Sequence, residues 1–454
     1  MTESPGDVAC PSPDAARLTF RVVPPRVARM QPPDASLPRF LGWRMVFAGF
    51  VAQFVYSSMS LSAFGVFVMP LEREFDTSRA SLSAAFGLSL LAMGSFAPVL
   101  GRWIDRGSLR RIMLAGLVLA SVGTCLLSRA TALWQLGVVF CTLVAFGTAL
   151  YGPLPSMALV ANWFVRRRGI ALGVTVAGAT LGGALAPALA ALLIDQFGWR
   201  SALLAFGLGS LALAAPVFAF GVVSRPAEVG QRPDGDAAPE GGVSRAGMTV
   251  HAYATSELLR DRNFLVLALG TALIFTSPIV ATLHLVPFAE GLGFSRQDAA
   301  FVFTPVAACS LLGKLAFGAV SDRVDPRHAL RLAVLVLVAG WLVLLADPDY
   351  PRLLLAGALL GLGIGAVVPL HGVLIGLCFR AEAFGQVMGL GGLLTLPIIA
   401  GANPIAGWLY DATGSYRAGF GLEVGCLLGA GLFFSALRVG APVALARADA
   451  TALR

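Results

Sequence analysis

The chain has 454 residues, of which 57% are hydrophobic and only 13% are charged. Soluble domains carry about 25% charged residues, so this composition excludes an ordinary water-soluble globular protein. The net charge of +8 raises the question of a nucleic-acid partner. However, most Lys and Arg residues lie in loops on one side of the predicted topology, as the positive-inside rule describes, so no polyanionic partner is expected.

Apolar segments of about 20 residues recur along the chain, and a helix of that length crosses the roughly 30 Å hydrocarbon core of a bilayer. They predict an all-α polytopic membrane protein with twelve membrane-spanning helices, here called spans 1 to 12. The predicted ranges are 44–68, 80–101, 111–128, 132–161, 169–194, 200–222, 263–288, 298–320, 329–346, 352–378, 386–410 and 418–438.

The remaining segments are polar and define the predicted domains. Residues 1–40 are Pro-rich and contain no signal-peptide core, so we expect a disordered cytoplasmic tail. Two six-helix bundles are expected over 41–223 and 261–440. A cytoplasmic loop, 224–260, joins them, and a second cytoplasmic tail is expected over 441–454.

The two halves repeat the same sequence phrase. Three positions of "GRWIDR" (101–106) and "GAVSDR" (318–323) are identical at an offset of 217: Gly101 matches Gly318, Asp105 matches Asp322, and Arg106 matches Arg323. Five more pairs share an offset of 216: Pro153 with Pro369, Gly169 with Gly385, Gly173 with Gly389, Asp195 with Asp411, and Gly198 with Gly414. A register kept across six helices indicates two six-helix bundles in parallel repeat. That architecture is typical of alternating-access transporters with a site between the halves at the membrane midplane.

The duplicated phrase predicts a gate at the cytoplasmic ends of spans 2 and 8. Gly101 and Gly318 allow close approach of two backbones. Asp105 and Asp322 are expected to face a helix N-terminus of the other half or to pair with arginines. Either contact would close the inner gate, to which Arg106 and Arg323 are also expected to belong. The alternative is that these charges only set the membrane topology.

The doubled Gly-x-x-x-Asp-Arg resembles the loop signature of the major facilitator superfamily. Four phrases resemble its bacterial monocarboxylate-carrier and oxalate:formate-antiporter branch: "FGVFVMPLEREFDTSRASLSAAF" (64–86), "ANWFVRRRGIALGVTVAGATLGG" (161–183), "FGWRSALL" (197–204) and "HLVPFAEGLGFS" (284–295). The resemblance implies a secondary carrier of a small organic anion, a monocarboxylate. We expect it in a bacterial inner membrane, with both termini cytoplasmic, as a monomer.

Lys314 is the only lysine in the chain and lies eight residues before Asp322 on span 8. At about 1.5 Å per residue it is about 12 Å inside the cytoplasmic end, near the midplane. We expect its ammonium to neutralise an anionic substrate, and the alternative is a lysine that snorkels to the interface. The resemblance places Lys314 where related carriers usually have a carboxylate-binding arginine, whose two-pronged geometry lysine lacks.

The chain departs from the animal monocarboxylate carriers at two other positions that the resemblance identifies. Those carriers have an aspartate where this chain has Ser310, and a lysine where it has Ser62. No Asp or Glu is expected at the midplane, so proton symport through a buried carboxylate is not predicted. A counter-anion, or a proton on a different carrier such as a histidine, remains open as the coupled partner.

Other polar residues within the spans are candidates for the substrate cavity: Gln53, Tyr56, Ser60, Tyr151, His371 and Asn403. The first three share one face of span 1 by their i, i+3, i+7 spacing. The alternative for the group is interhelical hydrogen bonding, and for His371 it is a hydrogen bond to a backbone carbonyl freed by Pro369.

Two residues near the outer face have other expected roles. His284, near the outer end of span 7, is expected to act at an outer gate or in packing. Glu423 lies about two turns into span 12, where pairing with Arg417 or another outer charge is expected rather than a coupling role.

The sequence contains no nucleophile with a neighbouring base, no metal-ligand spacing and no cofactor motif. We therefore expect neither an enzyme nor a cofactor or metal. The alternatives are a drug exporter of the same superfamily and a non-transporting membrane sensor. Span 4 lacks an intramembrane arginine and span 5 lacks the Gly-Pro pair that the resemblance implies for exporters. The short central loop carries no recognisable signalling domain.

Overall fold

The computed structural model describes residues 40–59, 64–77, 94–235, 253–379 and 383–437. Within these ranges the chain is helical and contains no β-strand. They belong to one compact unit that begins at Phe40. Ser60, Ser62, nearly all of the predicted N-terminal tail, the predicted C-terminal tail and part of span 2 lie outside the described residues.

The first half supplies spans 1 to 6. Their helices are Gly42–Met59 with the following helix Phe64–Phe75, residues 94–106 of span 2, Leu109–Leu127, Leu133–Trp163 and the long stretch Arg168–Gly221. This stretch contains both span 5 and span 6, which meet at Gly198. The backbone there has φ of 78°, a conformation that glycine adopts without steric cost.

The second half supplies spans 7 to 12. Their helices are Arg262–Gly291, Gln297–Ser321, Pro326–Leu345, Tyr350–Cys378, Phe384–Thr413 and Arg417–Ser435. Among the described residues, nine helical stretches are long and apolar enough to cross a membrane, and one of them holds both span 5 and span 6. The predicted class, an all-α polytopic membrane protein, is confirmed. Most of the described helix ends fall within a few residues of those predicted, but span 1, predicted over 44–68, has a helix that ends at Met59 and is followed by the separate helix Phe64–Phe75.

Spans 2 and 11 cross at a point where neither backbone has room for a side chain. A Cβ on Gly101 would lie 2.2 Å from the carbonyl oxygen of Gly385, and one on Gly389 would lie 2.3 Å from that of Ala97. Glycine is therefore required on both helices. Its absence of a side chain allows the first half of the chain to contact the second directly through the backbone.

Spans 5 and 8 cross in the same way. A Cβ on Gly318 would lie 2.6 Å from the carbonyl oxygen of Gly169, and one on Gly173 would lie 2.3 Å from that of Lys314. The two crossings together contain six glycines, which form three of the repeat pairs: Gly101 with Gly318, Gly169 with Gly385, and Gly173 with Gly389. The repeat detected in the sequence describes two equivalent crossings, and each one fixes a functional side chain.

Candidate functional site

Asp105 lies where span 2 ends and reaches the N-terminus of span 11. Its carboxylate accepts hydrogen bonds from the backbone N–H groups of Gly385, at 2.9 Å, and Gln386, at 2.8 Å. These donors belong to the first turn of a helix, where backbone N–H groups have no partner within the helix. Arg225 donates to the backbone carbonyl of Asp105, which adds the start of the central loop to the contact.

Asp322 makes the equivalent contact at the end of span 8. Its carboxylate accepts from the backbone N–H groups of Gly169, at 2.6 Å, and Ile170, at 2.9 Å, in the first turn of span 5. Burial raises the pKa of Asp322 more than these two hydrogen bonds lower it. The two hydrogen bonds favour the charged carboxylate but do not fully offset its desolvation, so the main contribution of Asp322 is to satisfy two backbone donors.

The sequence left two arrangements open for these aspartates, and the structure contains the first, a helix N-terminus of the other half. Arg106 and Arg323 are exposed, and neither forms an ion pair with Asp105 or Asp322 in the described part of the chain. Both crossings join the two halves at the ends of spans 2 and 8. The conformation is therefore one in which this side of the molecule, here called the gate side, is closed.

Lys314 lies on the face of span 8 that contacts the other half. Its ammonium donates to the hydroxyl of Thr180 on span 5. Ile170 marks the level of the gate-side contact, and Thr180 is ten residues further along, about 15 Å at 1.5 Å per residue. The ammonium of Lys314 therefore lies along span 5 away from the gate-side end and does not snorkel to that end.

Among the described residues, no acidic side chain forms an ion pair with Lys314. The side chain is half-buried, and its recorded partner is a neutral hydroxyl. An unpaired cation in an apolar interior is costly, and such residues mark ion or substrate pathways by default.

Gln53 on span 1 and Tyr151 on span 4 each contact a residue of the other span. Gln53 is buried and donates to the hydroxyl of Ser156 at 3.0 Å. Tyr151 is fully buried, and its hydroxyl lies 3.6 Å from the sulfur of Met59. Both side chains are engaged within the N-terminal bundle, which is the interhelical alternative and differs from the cavity-lining position that we expected. Tyr56 is half-buried beside the break in span 4 at Gly152.

His371 joins spans 10 and 7. Its Nδ1 lies 2.9 Å from the hydroxyl oxygen of Thr271. The partner is therefore a side-chain hydroxyl, and the expected alternative, a backbone carbonyl freed by Pro369, is not the contact that the structure contains. His371 is half-buried at this position.

His284 and Asn403 bring two unsatisfied polar atoms into the outer part of the C-terminal bundle. His284 is 8% exposed, its Nε2 has no hydrogen-bond partner within the described residues, and its ring packs against Tyr416. The Oδ1 atom of Asn403 also lacks a partner there. The packing role expected for His284 fits its ring contact.

The prediction for Glu423 is wrong. Arg417 forms its ion pair with Asp347, in the loop between spans 9 and 10. Glu423 is 3% exposed and lies 2.9 Å from the hydroxyl oxygen of Thr276 on span 7. Thr276 is residue 15 of the 30 in its helix. A carboxyl group therefore does lie at mid-depth, contrary to our expectation, because span 12 packs its outer turns deep against span 7.

Sequence reasoning did not identify several residues that contribute to the closed gate side. Asp234, in the central loop, accepts from the backbone N–H groups of Val165 and Arg166 just before span 5. At the other end of that loop, the carbonyl of Tyr253 accepts from the side chain of Gln386. A short polar loop carries no pattern that predicts such contacts.

Comparison with known proteins identifies the family. The model of the Major Facilitator Superfamily matches residues 45–313 and 267–452. The chain belongs to the major facilitator superfamily. It is therefore a multi-pass membrane transporter and not an enzyme.

Two relatives and one solved structure illustrate what this superfamily member is similar to. Human monocarboxylate transporter 11 is 31% identical over 448 residues, covering 94% of this chain and 89% of the relative. Monocarboxylate transporter 13 of Bos taurus is 30% identical, covering 86% and 87%. The crystal structure of the human organic anion transporter MFSD10 matches with a TM-score of 0.64 at 18% identity, covering 89% and 100%.

Proposed function

We propose that this major facilitator carries a small organic anion, a monocarboxylate, by alternating access, and that Lys314 binds the substrate carboxylate. The observation that supports this proposal is the half-buried ammonium of Lys314, which is bonded to a neutral hydroxyl and to no carboxylate among the described residues. Relatives of 30–31% identity over most of the chain bear the name monocarboxylate transporter.

The contact between Lys314 and Thr180 joins the two halves, which suggests how binding is linked to movement. The ammonium is a mobile point charge with three donors, so it can exchange the hydroxyl of Thr180 for a carboxylate. That exchange removes a bond between spans 5 and 8. The substrate thus competes with a contact that holds the halves together, which lowers the free-energy cost of their rocking.

The closed cytoplasmic contacts of Asp105 and Asp322 imply that this conformation receives substrate from the outside. We propose that these two aspartates, with Gly101 and Gly318, form the inner gate. The arginine that follows each aspartate contributes to the basic cytoplasmic surface. Gln53, Tyr151 and the other interhelical residues hold the bundles in shape around the site.

The remaining parts of the proposal concern the setting of the protein. We place it in a bacterial inner membrane as a monomer, with both termini cytoplasmic and two bundles over 41–223 and 261–440. The basic loops between spans 2 and 3 and between spans 4 and 5 lie on the gate side, which supports that orientation. A proton or a counter-anion is the coupled partner.

The test is counterflow in proteoliposomes. Purified protein is reconstituted with an unlabelled monocarboxylate inside, and entry of a labelled one is followed for wild type, Lys314→Arg and Lys314→Gln. Arg331→Gln, which removes an exposed cation from span 9, is the matched control. We expect wild type, Lys314→Arg and Arg331→Gln to exchange and Lys314→Gln to lose exchange. Undiminished exchange by Lys314→Gln would overturn the assignment.

A further inference from the structure

Glu423 is a buried carboxyl group that the proposed transport cycle has not used. It is 3% exposed on span 12, and its Oε2 lies 2.9 Å from Oγ1 of Thr276 at the middle of span 7. The two residues are 147 positions apart in the chain. The contact is therefore a tertiary contact between spans 7 and 12, at the middle of span 7, and not a local interaction within one turn.

The surroundings of Glu423 are mostly apolar, and in the part of the chain that the structure describes its hydrogen-bond partner is Thr276. One turn earlier on span 12, Phe420 packs against the indole of Trp341, and one turn later Leu427 is fully buried. The indole N–H of Trp341 donates to the hydroxyl of Ser277. The nearest strong donor on span 9 is therefore already engaged.

No cation compensates a negative charge at this position. The charged and titratable residues of the helices that pack around Glu423 are Arg262, His284 and Glu290 on span 7, Arg327, His328 and Arg331 on span 9, Tyr410 and Asp411 on span 11, and Arg417 and Cys426 on span 12. Only the Cys426 thiol interacts electrostatically with Glu423 within the described residues. The guanidinium of Arg417, six residues or about 9 Å away along the helix, is paired with Asp347.

The hydrogen atoms available at the contact can be counted. Oγ1 of Thr276 lies 2.7 Å from the carbonyl oxygen of Leu273 and 2.9 Å from Oε2 of Glu423. A hydroxyl has one hydrogen, so it cannot donate to both oxygens. Leu273 lies inside a continuous helix, so its carbonyl oxygen also accepts the intrahelical N–H bond from Ser277. An ionised Glu423 would therefore have only the single hydroxyl hydrogen of Thr276 as a hydrogen-bond donor among the described residues. A protonated Glu423 can donate to Thr276 while Thr276 donates to Leu273.

We propose that Glu423 is a proton-binding site, protonated in this conformation, and that its proton is transported together with the substrate. An unpaired carboxylate in an apolar interior is strongly disfavoured, and the single neutral hydroxyl of Thr276 does not compensate its charge. The proton enters from the outer solution as the carboxylate substrate binds, and no bond other than the O–H bond forms or breaks. The coupling part of this inference rests on the proposed function, whereas the protonation of Glu423 does not.

Infrared spectroscopy tests the protonation independently of any substrate. The difference spectrum between lipid-reconstituted wild type and Glu423→Gln should contain the C=O stretching band of a protonated carboxyl group, which shifts on transfer to deuterated water. Glu290→Gln, which removes an exposed carboxylate from span 7, is the control and should leave that band in place. A band that persists undiminished in Glu423→Gln would overturn the proposal.

A second variant keeps this test decisive if Glu423→Gln does not fold. Thr276→Val removes the hydrogen-bond partner and leaves the carboxyl group in place. We expect the C=O band to move to higher frequency in Thr276→Val because the O–H group has lost its acceptor. An unchanged band position would overturn the assignment of the band to Glu423.

Uptake driven by a pH gradient tests the coupling. Wild type should accumulate labelled monocarboxylate when the vesicle interior is alkaline, and Glu423→Gln should keep counterflow but lose this accumulation, while Glu290→Gln behaves as wild type. Accumulation by Glu423→Gln, or its absence in an actively exchanging wild type, would refute the coupling. If wild type shows no monocarboxylate counterflow, the proposed function fails, and the infrared result still decides the protonation of Glu423.

Discussion

Replacing Asp322 by alanine should open the cytoplasmic side of this transporter. The substitution leaves the backbone N–H groups of Gly169 and Ile170 without their acceptor at the start of span 5. An unsatisfied buried donor costs about 1–3 kcal/mol, and we take the lower value for each because Asp322 is only half-buried. The loss is about 2 kcal/mol, which shifts the equilibrium towards the open gate by about 30-fold.

Comparing different substitutions of Asp322 separates the effect of its hydrogen bonds from the effect of its charge. Burial raises the pKa of Asp322 above its ordinary value of about 3.9, so the closed gate binds the proton of this carboxyl more tightly than the open gate. Acid therefore favours the closed gate, and the closed fraction falls as the pH rises through the closed-state pKa. Asp322→Asn keeps one acceptor oxygen but replaces the other by an amide donor, so its closed fraction should lie between those of wild type and Asp322→Ala.

The assay is a distance measurement across the cytoplasmic face. Spin labels at Arg111, in span 3, and Arg331, in span 9, occupy exposed positions in different halves, on a background without the native cysteines. Asp325→Asn is the matched control, because Asp325 bonds only to Arg327 in its own half. An unchanged distance distribution in Asp322→Ala, or an equal change in Asp325→Asn, would refute the assignment of Asp322 to the gate.

Three further predictions concern the packing and stability of the fold. Gly173→Val should prevent closure of the gate, because its Cβ would lie 2.3 Å from a backbone carbonyl oxygen of span 8. Gly209→Val is the control and should transport normally, because no atom lies within 4 Å of its Cβ position. Equal substrate uptake by the two variants would contradict this prediction. Gln53→Ala should lower the free energy of unfolding by about 1 kcal/mol through loss of the Ser156 hydrogen bond, read as a lower melting temperature. Hydrogen bonding to the neighbouring guanidinium lowers the pKa of Asp325, so its stabilisation is present above about pH 4 and is lost as the pH falls. The melting-temperature difference between wild type and Asp325→Asn should shrink on acidification, and a difference that grows would contradict the assignment.

The contacts between halves could be predicted from the sequence because the repeat conserves their residue types. Gly101 and Gly318 have no side chain to place, and an aspartate at the end of a span has few donors within reach. The residues of spans 2 and 8 at the crossings could therefore be identified from residue type and position, whereas their partner helices, spans 11 and 5, were not predicted. The boundary between spans 5 and 6 is similar, since Gly198 adopts a backbone conformation that the other residue types disfavour.

The partners of long polar side chains could not be predicted in the same way. Thr180 and Ser156 were not identified as partners of Lys314 and Gln53, because the partner depends on how each helix is rotated against its neighbour. Glu423 was placed near the outer surface because depth was counted from the end of its own helix. Its actual depth is set by the neighbouring helix, and Thr276 lies at the middle of that helix.

The most direct test of the central claim uses the fact that Lys314 is the only lysine in the chain. An amine-reactive ester modifies this side chain and the N-terminal amine, and peptide mass spectrometry separates the two products. A monocarboxylate that binds the ammonium should protect Lys314 in proportion to its occupancy, while the corresponding neutral amide should not, and N-terminal labelling should stay constant. Equal labelling of Lys314 with and without every monocarboxylate, in protein that still exchanges them, would contradict the assignment of this residue to substrate binding.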